Sequence, residues 1–176
     1  VINIYPWKRS YNLAITKPNI LIYSIFRTEL RDPLFHWFCS IYKETPIRIY
    51  RLASNKTNVD SLADLKSSII GVMRGDNSHN YLLQNGFEEG VNLDVSANEE
   101  TNLRKFVKGR VDAVVQSEDS LLYRLKALGA GELEVSAGLP IHQEQSSEHC
   151  MALSLNTNPD IIEKVRKGFD KWQQEQ

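Results

Sequence analysis

The sequence predicts an α/β protein built on mainly parallel sheets. Short β-branched runs alternate with helical segments from about residue 47 to 139, an order that gives a parallel sheet with right-handed crossovers. The runs at 20–25 and 112–116 are apolar without polar alternation, as in strands covered on both faces. At the end of the chain, Ile161, Ile162, Val165, Phe169 and Trp172 share one face of a helix over 159–174.

The elements follow in order. Residues 6–17 read as a helix: Pro6 suits a first turn, Trp7, Tyr11, Ala14 and Ile15 keep helical spacing, and Lys17-Pro18-Asn19 ends it. The strand at 20–25 comes next. Asp32-Pro33 then opens an irregular stretch toward Phe35, Trp37 and Phe38. Residues 47–53 alternate Ile with Arg in part, a strand with one solvated face. A short helix at 60–66, a strand at 68–74, a turn at 75–78 and a helix at 79–85 closed by Gly86 follow. Then come a strand at 93–96, a helix at 99–108 with Gly109 past its end, a strand at 112–116 and a helix at 119–128 stopped by Gly129. Strands at 133–137 and 150–155 precede the last helix.

Composition removes several function classes. The 176 residues are 41% hydrophobic and 24% charged, which suits a globular chain of one domain or two small lobes. Net charge is -1 with no dense Lys/Arg stripe, so no nucleic-acid partner is expected. No apolar run approaches the roughly 20 residues that span a bilayer. The chain starts at Val1 with no basic and apolar leader; the expectation is that an export signal was removed or that this is a fragment. Cys39 and Cys150 have no CxxC or zinc spacing. They read as two buried thiols, with a disulfide open to them in an oxidising compartment.

Three constellations carry chemistry. Arg27-Thr28-Glu29-Leu30-Arg31 directly follows a strand, and in open α/β sheets ligands bind beyond the carboxyl ends of strands. Arginine there offers a planar fork for a carboxylate; the same pair also reads as two solvated arginines around a turn. In Gly71-Val72-Met73-Arg74-Gly75-Asp76-Asn77-Ser78-His79 a strand runs through a glycine turn into a helix start, where backbone N–H groups and the helix dipole favour an anion. Asp76, Asn77 and Ser78 equally serve as ordinary caps. In the segment from Gly109 to Glu118, the polar residues Gln116, Ser117 and Glu118 arrive at a strand's carboxyl end; they reach a ligand or cap the next helix.

Catalytic patterns are weak. His36, His79, His142 and His149 show no HExxH, and no Gly-x-Ser-x-Gly elbow is present. Glu88-Glu89 and Glu99-Glu100 read as solvated charge rather than tuned acid–base couples. Glu118 is the one candidate for an enzyme reading, and a metal between His142 and His149 is the remaining minor alternative. No cofactor and no metal are expected.

Together the constellations resemble the type II periplasmic solute-binding proteins of ABC importers, in the family that binds polar amino acids. The residues behind the resemblance are Pro6-Trp7-Lys8-Arg9, Arg27-Thr28-x-x-Arg31, Gly71-Val72-x-x-Gly75, Asn102-Leu103 through Gly109-Arg110-Val111-Asp112-Ala113, and the return strand at 150–155. The resemblance implies two α/β lobes joined by two crossing strands. Residues 1–46 and 149–176 would form part of the first lobe, 47–52 and 149–155 the crossings, and 53–148 the second lobe. It implies a non-enzymatic, periplasmic protein that captures an amino-acid-like solute and delivers it to a membrane permease. A sensing domain of a signalling protein and, further off, a dehydratase-like enzyme are the alternatives on the same fold.

In residue terms the resemblance gives Arg31 the ligand carboxylate, helped by the backbone of Asp76, Asn77 and Ser78, with Trp7 and Arg27 beside the site. The position that usually takes the ligand amine is Ser117, next to Glu118, and a hydroxyl does not pair with an ammonium as a carboxylate does. Phe26 stands where a small hydroxyl residue is common. A carboxylate-bearing solute is therefore better supported than an ordinary α-amino acid. One strand before residue 47 is too few to cover Trp7, Phe35, Trp37 and the last helix. The expectation is an N-terminally incomplete first lobe that dimerises or swaps elements.

Overall fold

The computed structural model describes residues 1–42, 45–141 and 149–176. The elements run α1 (Trp7–Thr16), β1 (Leu21–Phe26), β2 (Phe35–Tyr42), β3 (Ile47–Leu52), β4 (Ile70–Met73), α2 (Asn77–Gln84) and β5 (Leu93–Ser96). They continue as α3 (Glu99–Val107), β6 (Ala113–Ser117), α4 (Glu118–Ala127), β7 (Val135–Ile141), β8 (His149–Ser154) and α5 (Pro159–Gln174). Short 3₁₀ turns lie at Asp32–Leu34 and Leu62–Leu65; the second stands where a short helix was expected. No described helix is long and apolar enough to cross a membrane.

The chain divides into two compact units. One comprises Val1–Tyr5, Arg9–Glu44 and Gln145–Gln176; the other comprises Pro6–Lys8 and Thr45–Glu144.

The first unit holds a three-stranded sheet in the order β1-β8-β2, with both pairings antiparallel. β8 is its centre and buries Cys150, Ala152 and Leu153. α5 covers it: Phe38, Leu153 and Phe169 form a cluster flanked by Met151, Ile162 and Val165. The Phe38 and Phe169 rings meet edge-on with centroids 5.7 Å apart. The Asn158 side chain caps α5 by accepting from the Asp160 N–H at 2.8 Å, and Pro159 fills the first turn.

Three sequence expectations change in this unit. The stretch after Asp32-Pro33 is not irregular beyond the 3₁₀ turn; its aromatic residues form β2, so two strands precede Ile47. β1 is not covered on both faces. It lies at the sheet edge, buries Ile22 and Ile25, and leaves Leu21 and Tyr23 41% and 59% exposed. Ser24, with φ of 58°, is the extra residue of a bulge between Tyr23 and Ile25. Finally, Cys39 and Cys150 are not thiols. They face each other across the β2–β8 ladder and form a disulfide.

The second unit holds a five-stranded sheet ordered β5-β4-β6-β3-β7. β4 runs parallel to β5 and β6, while β3 is antiparallel to β6 and β7. The strand–helix alternation read from the sequence thus yields the parallel ladders on β4, and β3 and β7 add antiparallel ones. Both faces are apolar, which explains the continuous hydrophobic runs. Ile49, Ile70, Val72, Leu82 and Val115 lie in one cluster, Tyr50, Leu103, Phe106, Val114, Leu121 and Leu125 in the other. Neighbouring residues of one strand, Ile49 and Tyr50 or Val114 and Val115, thereby serve opposite layers. α2 packs on the first face, and α3 and α4 pack on the second.

The disulfide joins residues 111 positions apart, so cutting it frees a long loop in the unfolded chain. We predict that the Cys39→Ala/Cys150→Ala double variant loses about 2–5 kcal/mol of unfolding free energy, read as a lower urea midpoint. An unchanged midpoint would refute this.

Candidate functional site

The β4–β6 boundary of the second unit is where the chain changes direction around the sheet. From β4 it passes to α2 on one face, and from β6 to α4 on the other. A parallel sheet opens a crevice at such a switch point, beyond the carboxyl ends of its strands. Asp76, Asn77 and Ser78 stand at the end of β4, and Ser117 and Glu118 at the end of β6.

The β4 end is built by a tight turn. Gly75 adopts φ of 69°, which a residue with a Cβ seldom takes. Asp76 is the N-cap of α2, its Oδ1 accepting the His79 N–H at 2.6 Å. Gly75 uses both backbone groups: its N–H donates to His79 Nδ1 at 3.0 Å, and its carbonyl accepts from Trp7 Nε1 at 3.0 Å. Trp7 is therefore brought onto the turn with Asp76–Ser78. Ser78 and His79 are buried. The positive end of the α2 dipole faces this corner, but the Asp76 carboxylate already sits on it.

At the β6 end, Gln116 is buried and Ser117 caps α4 without a side-chain bond. Glu118 is exposed in the first turn of α4, where an acidic residue complements the dipole. The sequence had placed Glu99 in solvent; the structure folds it back. Its Oε2 accepts from Gln116 Nε2 at 2.5 Å and from Asn102 Nδ2 at 3.3 Å. Burial raises the Glu99 pKa above the usual carboxylate range, opposed by the amide of Asn102, the charge of Arg124 and the amide of Gln116. Asn102 reaches this position because Gly71 has no Cβ; one would lie 2.1 Å from Asn102 Oδ1.

The first unit carries the two arginines in the loop after β1. Arg27 is half-exposed and pairs with Asp32, Nε to Oδ1 at 2.5 Å, with its guanidinium 5.9 Å from the Trp37 ring centroid. Arg31 is 5% exposed. Its Nη1 donates to the Phe26 carbonyl at 3.3 Å and its guanidinium lies 5.3 Å from the Tyr11 ring centroid. The tight turn that places it is closed by the Arg31 and Asp32 N–H groups, both donating to the Thr28 carbonyl.

Sequence reasoning gave no site role to His79, Glu99 or Tyr11, which the structure places against the candidate residues. The Asp76-x-x-His79 spacing was the available signal for the first, since a cap and the third helical residue face each other. No group of three or more potential metal ligands exists among the described residues. His142 of the minor metal alternative lies outside them.

A carboxyl whose pKa rises on folding binds its proton more tightly in the folded state, so stability falls as pH climbs above the unfolded value. We predict that Glu99→Gln, which keeps an amide oxygen for Gln116 and Asn102, gains stability relative to the wild type as pH rises from about 4 to about 7. Paired thermal melts check this, and a constant difference would contradict it.

No protein-family model matches the chain, and no curated protein matches it by sequence. Solved structures do. An ancestral arginine-binding protein bound to glutamine matches with TM-score 0.77 and 20% identity, over 98% of this chain and 73% of that one. A histidine kinase sensor domain with similarity to periplasmic binding proteins matches with TM-score 0.76 and 14% identity, over 97% and 71%. An amino acid ABC transporter substrate-binding protein from Streptococcus pneumoniae, bound to L-arginine, matches with TM-score 0.70 and 21% identity, over 94% and 66%. With the open sheets and five helices of its described residues, this chain has the type II periplasmic-binding-protein-like fold.

Proposed function

We propose that this chain is a non-catalytic solute-binding protein that captures a small carboxylate-bearing, amino-acid-like solute. The observation that carries the reading is Arg31. A guanidinium buried at the carboxyl end of a strand, braced by the Phe26 carbonyl and the Tyr11 ring, offers a planar donor fork suited to a carboxylate. Arg27 is committed to Asp32 and gives the loop its shape.

In this reading the start of α2 at Asp76, Asn77 and Ser78, with Trp7 beside it, is the part of the second unit that faces the solute. Asp76 partly neutralises the α2 dipole, so Arg31 supplies most of the charge. Ser117 offers the solute a hydroxyl rather than an anion, and exposed Glu118 beside it adds a weak, solvated charge. The matching proteins bound to glutamine and to L-arginine support an amino-acid-like solute. The disulfide supports an oxidising compartment, hence the periplasm, with the permease of an ABC importer as partner. A second reading, the ligand-sensing domain of a signalling protein, is favoured by the match to a histidine kinase sensor domain. A membrane segment fused to this domain in the gene product would select it.

Calorimetric titration with the proteinogenic amino acids and with glutarate tests the proposal. The expected result is binding by the wild type that weakens about 10- to 150-fold in Arg31→Ala, the range for losing a charged hydrogen bond. Circular dichroism of the variant checks that it is folded, and Arg31→Lys retains part of the affinity. Unchanged affinity in a folded Arg31→Ala protein removes Arg31 from the site, and no binding across the whole panel removes the reading.

A further inference from the structure

His79 is buried at the start of α2, 4% exposed, and its two bonds to the turn run in opposite directions. Its backbone N–H donates to Asp76 Oδ1, and its ring Nδ1 accepts from the Gly75 N–H. A nitrogen that accepts carries no proton, so the neutral ring holds its proton on Nε2. Nε2 lies 3.1 Å from Glu89 Oε1. A protonated ring would set an N–H against the Gly75 N–H at a separation of 3.0 Å, and one of the two groups would have to move.

We propose that neutral His79 is the positioning residue of the solute-facing turn, and that protonating it releases Gly75 and weakens solute capture in acid. The inference rests on the solute-binding reading for its second half only. Gly75 is the point through which the lock acts. It takes a left-handed conformation, bonds His79 through its N–H and Trp7 through its carbonyl, and directly precedes Asp76. Losing the His79 bond frees the peptide that sets the direction of the amides at 76–78 and the seat of the Trp7 indole.

The charges around the ring decide where the switch lies. Glu89 faces Nε2 from the loop after α2 and favours the imidazolium, while Arg74 at the end of β4 lies 3.6 Å from the same carboxylate and opposes it. Lys8, from the first turn of α1, also opposes it. Asp76 is engaged by the His79 backbone rather than the ring. Burial outweighs these charges and holds the His79 pKa below the usual imidazole value. The neutral, locked state therefore predominates at pH values above the ordinary imidazole range and is lost as pH falls through the lowered value.

The experiment follows the His79 ring nitrogens and the Gly75 amide by ¹⁵N NMR, alongside calorimetry with L-glutamine and L-arginine, between about pH 8 and pH 5. We expect the Nε2-protonated tautomer at high pH and a Gly75 amide shift that titrates with the ring. We also expect wild-type affinity to fall by about fivefold or more in acid, the loss of one hydrogen bond. His79→Asn places an amide oxygen near the Nδ1 position, so it keeps the acceptor and removes the titration. Its affinity is expected to stay flat across the range, while His79→Leu binds weakly throughout. An Nδ1-protonated tautomer, or identical pH profiles for the wild type and His79→Asn, overturns the proposal. A Gly75 amide that titrates with His79 in a protein binding neither amino acid upholds the lock and refutes its tie to capture of these solutes.

Discussion

The parallel pairing of β4 with β6 is the constraint on which the second unit depends. It brings Ile70 beside Ala113 and Gly71 beside Val114; because right-handed crossovers then lead from β4 to β5 on one side and from β6 to β7 on the other, the chains leaving the two strands pass to opposite faces. Both faces must then be apolar, and the residues of β3 and β6 divide between two cores. Where those faces part, the backbone ends of two strands and the starts of two helices come together. Polar backbone groups are unavoidable at that place, whatever side chains surround them.

Inside that geometry, electrostatics are balanced rather than maximised. A helix start attracts anions, yet Asp76 occupies the cap and already satisfies one amide with a full negative charge. The Glu99 carboxylate is held by two side-chain amides, with the Arg124 charge acting on it as well. In the first unit Arg31 is buried after β1, donating to the Phe26 carbonyl.

Much of the fold was legible because periodicity reports burial directly. The extents of β3, β5, α3 and α5 follow from β-branched runs and from 3.6-residue spacing that the tertiary structure confirms rather than overrides. β2 was hidden by Asp32-Pro33, which does start a turn, and by aromatic residues that suit strand and loop alike. β1 looked doubly covered because Leu21 and Tyr23 are apolar, but an edge strand tolerates exposed apolar residues when its inward face is filled. The site was less legible for a physical reason: its parts meet through long-range contacts. Glu99 reaches Gln116 across 17 positions and Trp7 reaches Gly75 across 68, and Cys39 meets Cys150 only once the β2–β8 register exists. Arg31 and the turn at Asp76–Ser78 could be singled out because each is local, a charge after a strand and a cap before a helix.

The strand order of the first unit has a consequence for how the protein is made. β1 and β2 are consecutive in the chain but never pair; β8 lies between them. A ribosome or a translocation channel therefore releases two strands that have no partner until residues 149–154 follow, more than a hundred positions later. Through that interval Ile22, Ile25, Phe35 and Phe38, all buried in the finished sheet, lack the central strand they pack beside, while the second unit already has its described strands once β7 has emerged. Synthesis thus imposes an order, with the middle of the chain able to mature first and its beginning waiting for its end. The waiting strand edges are where a chaperone would have to act.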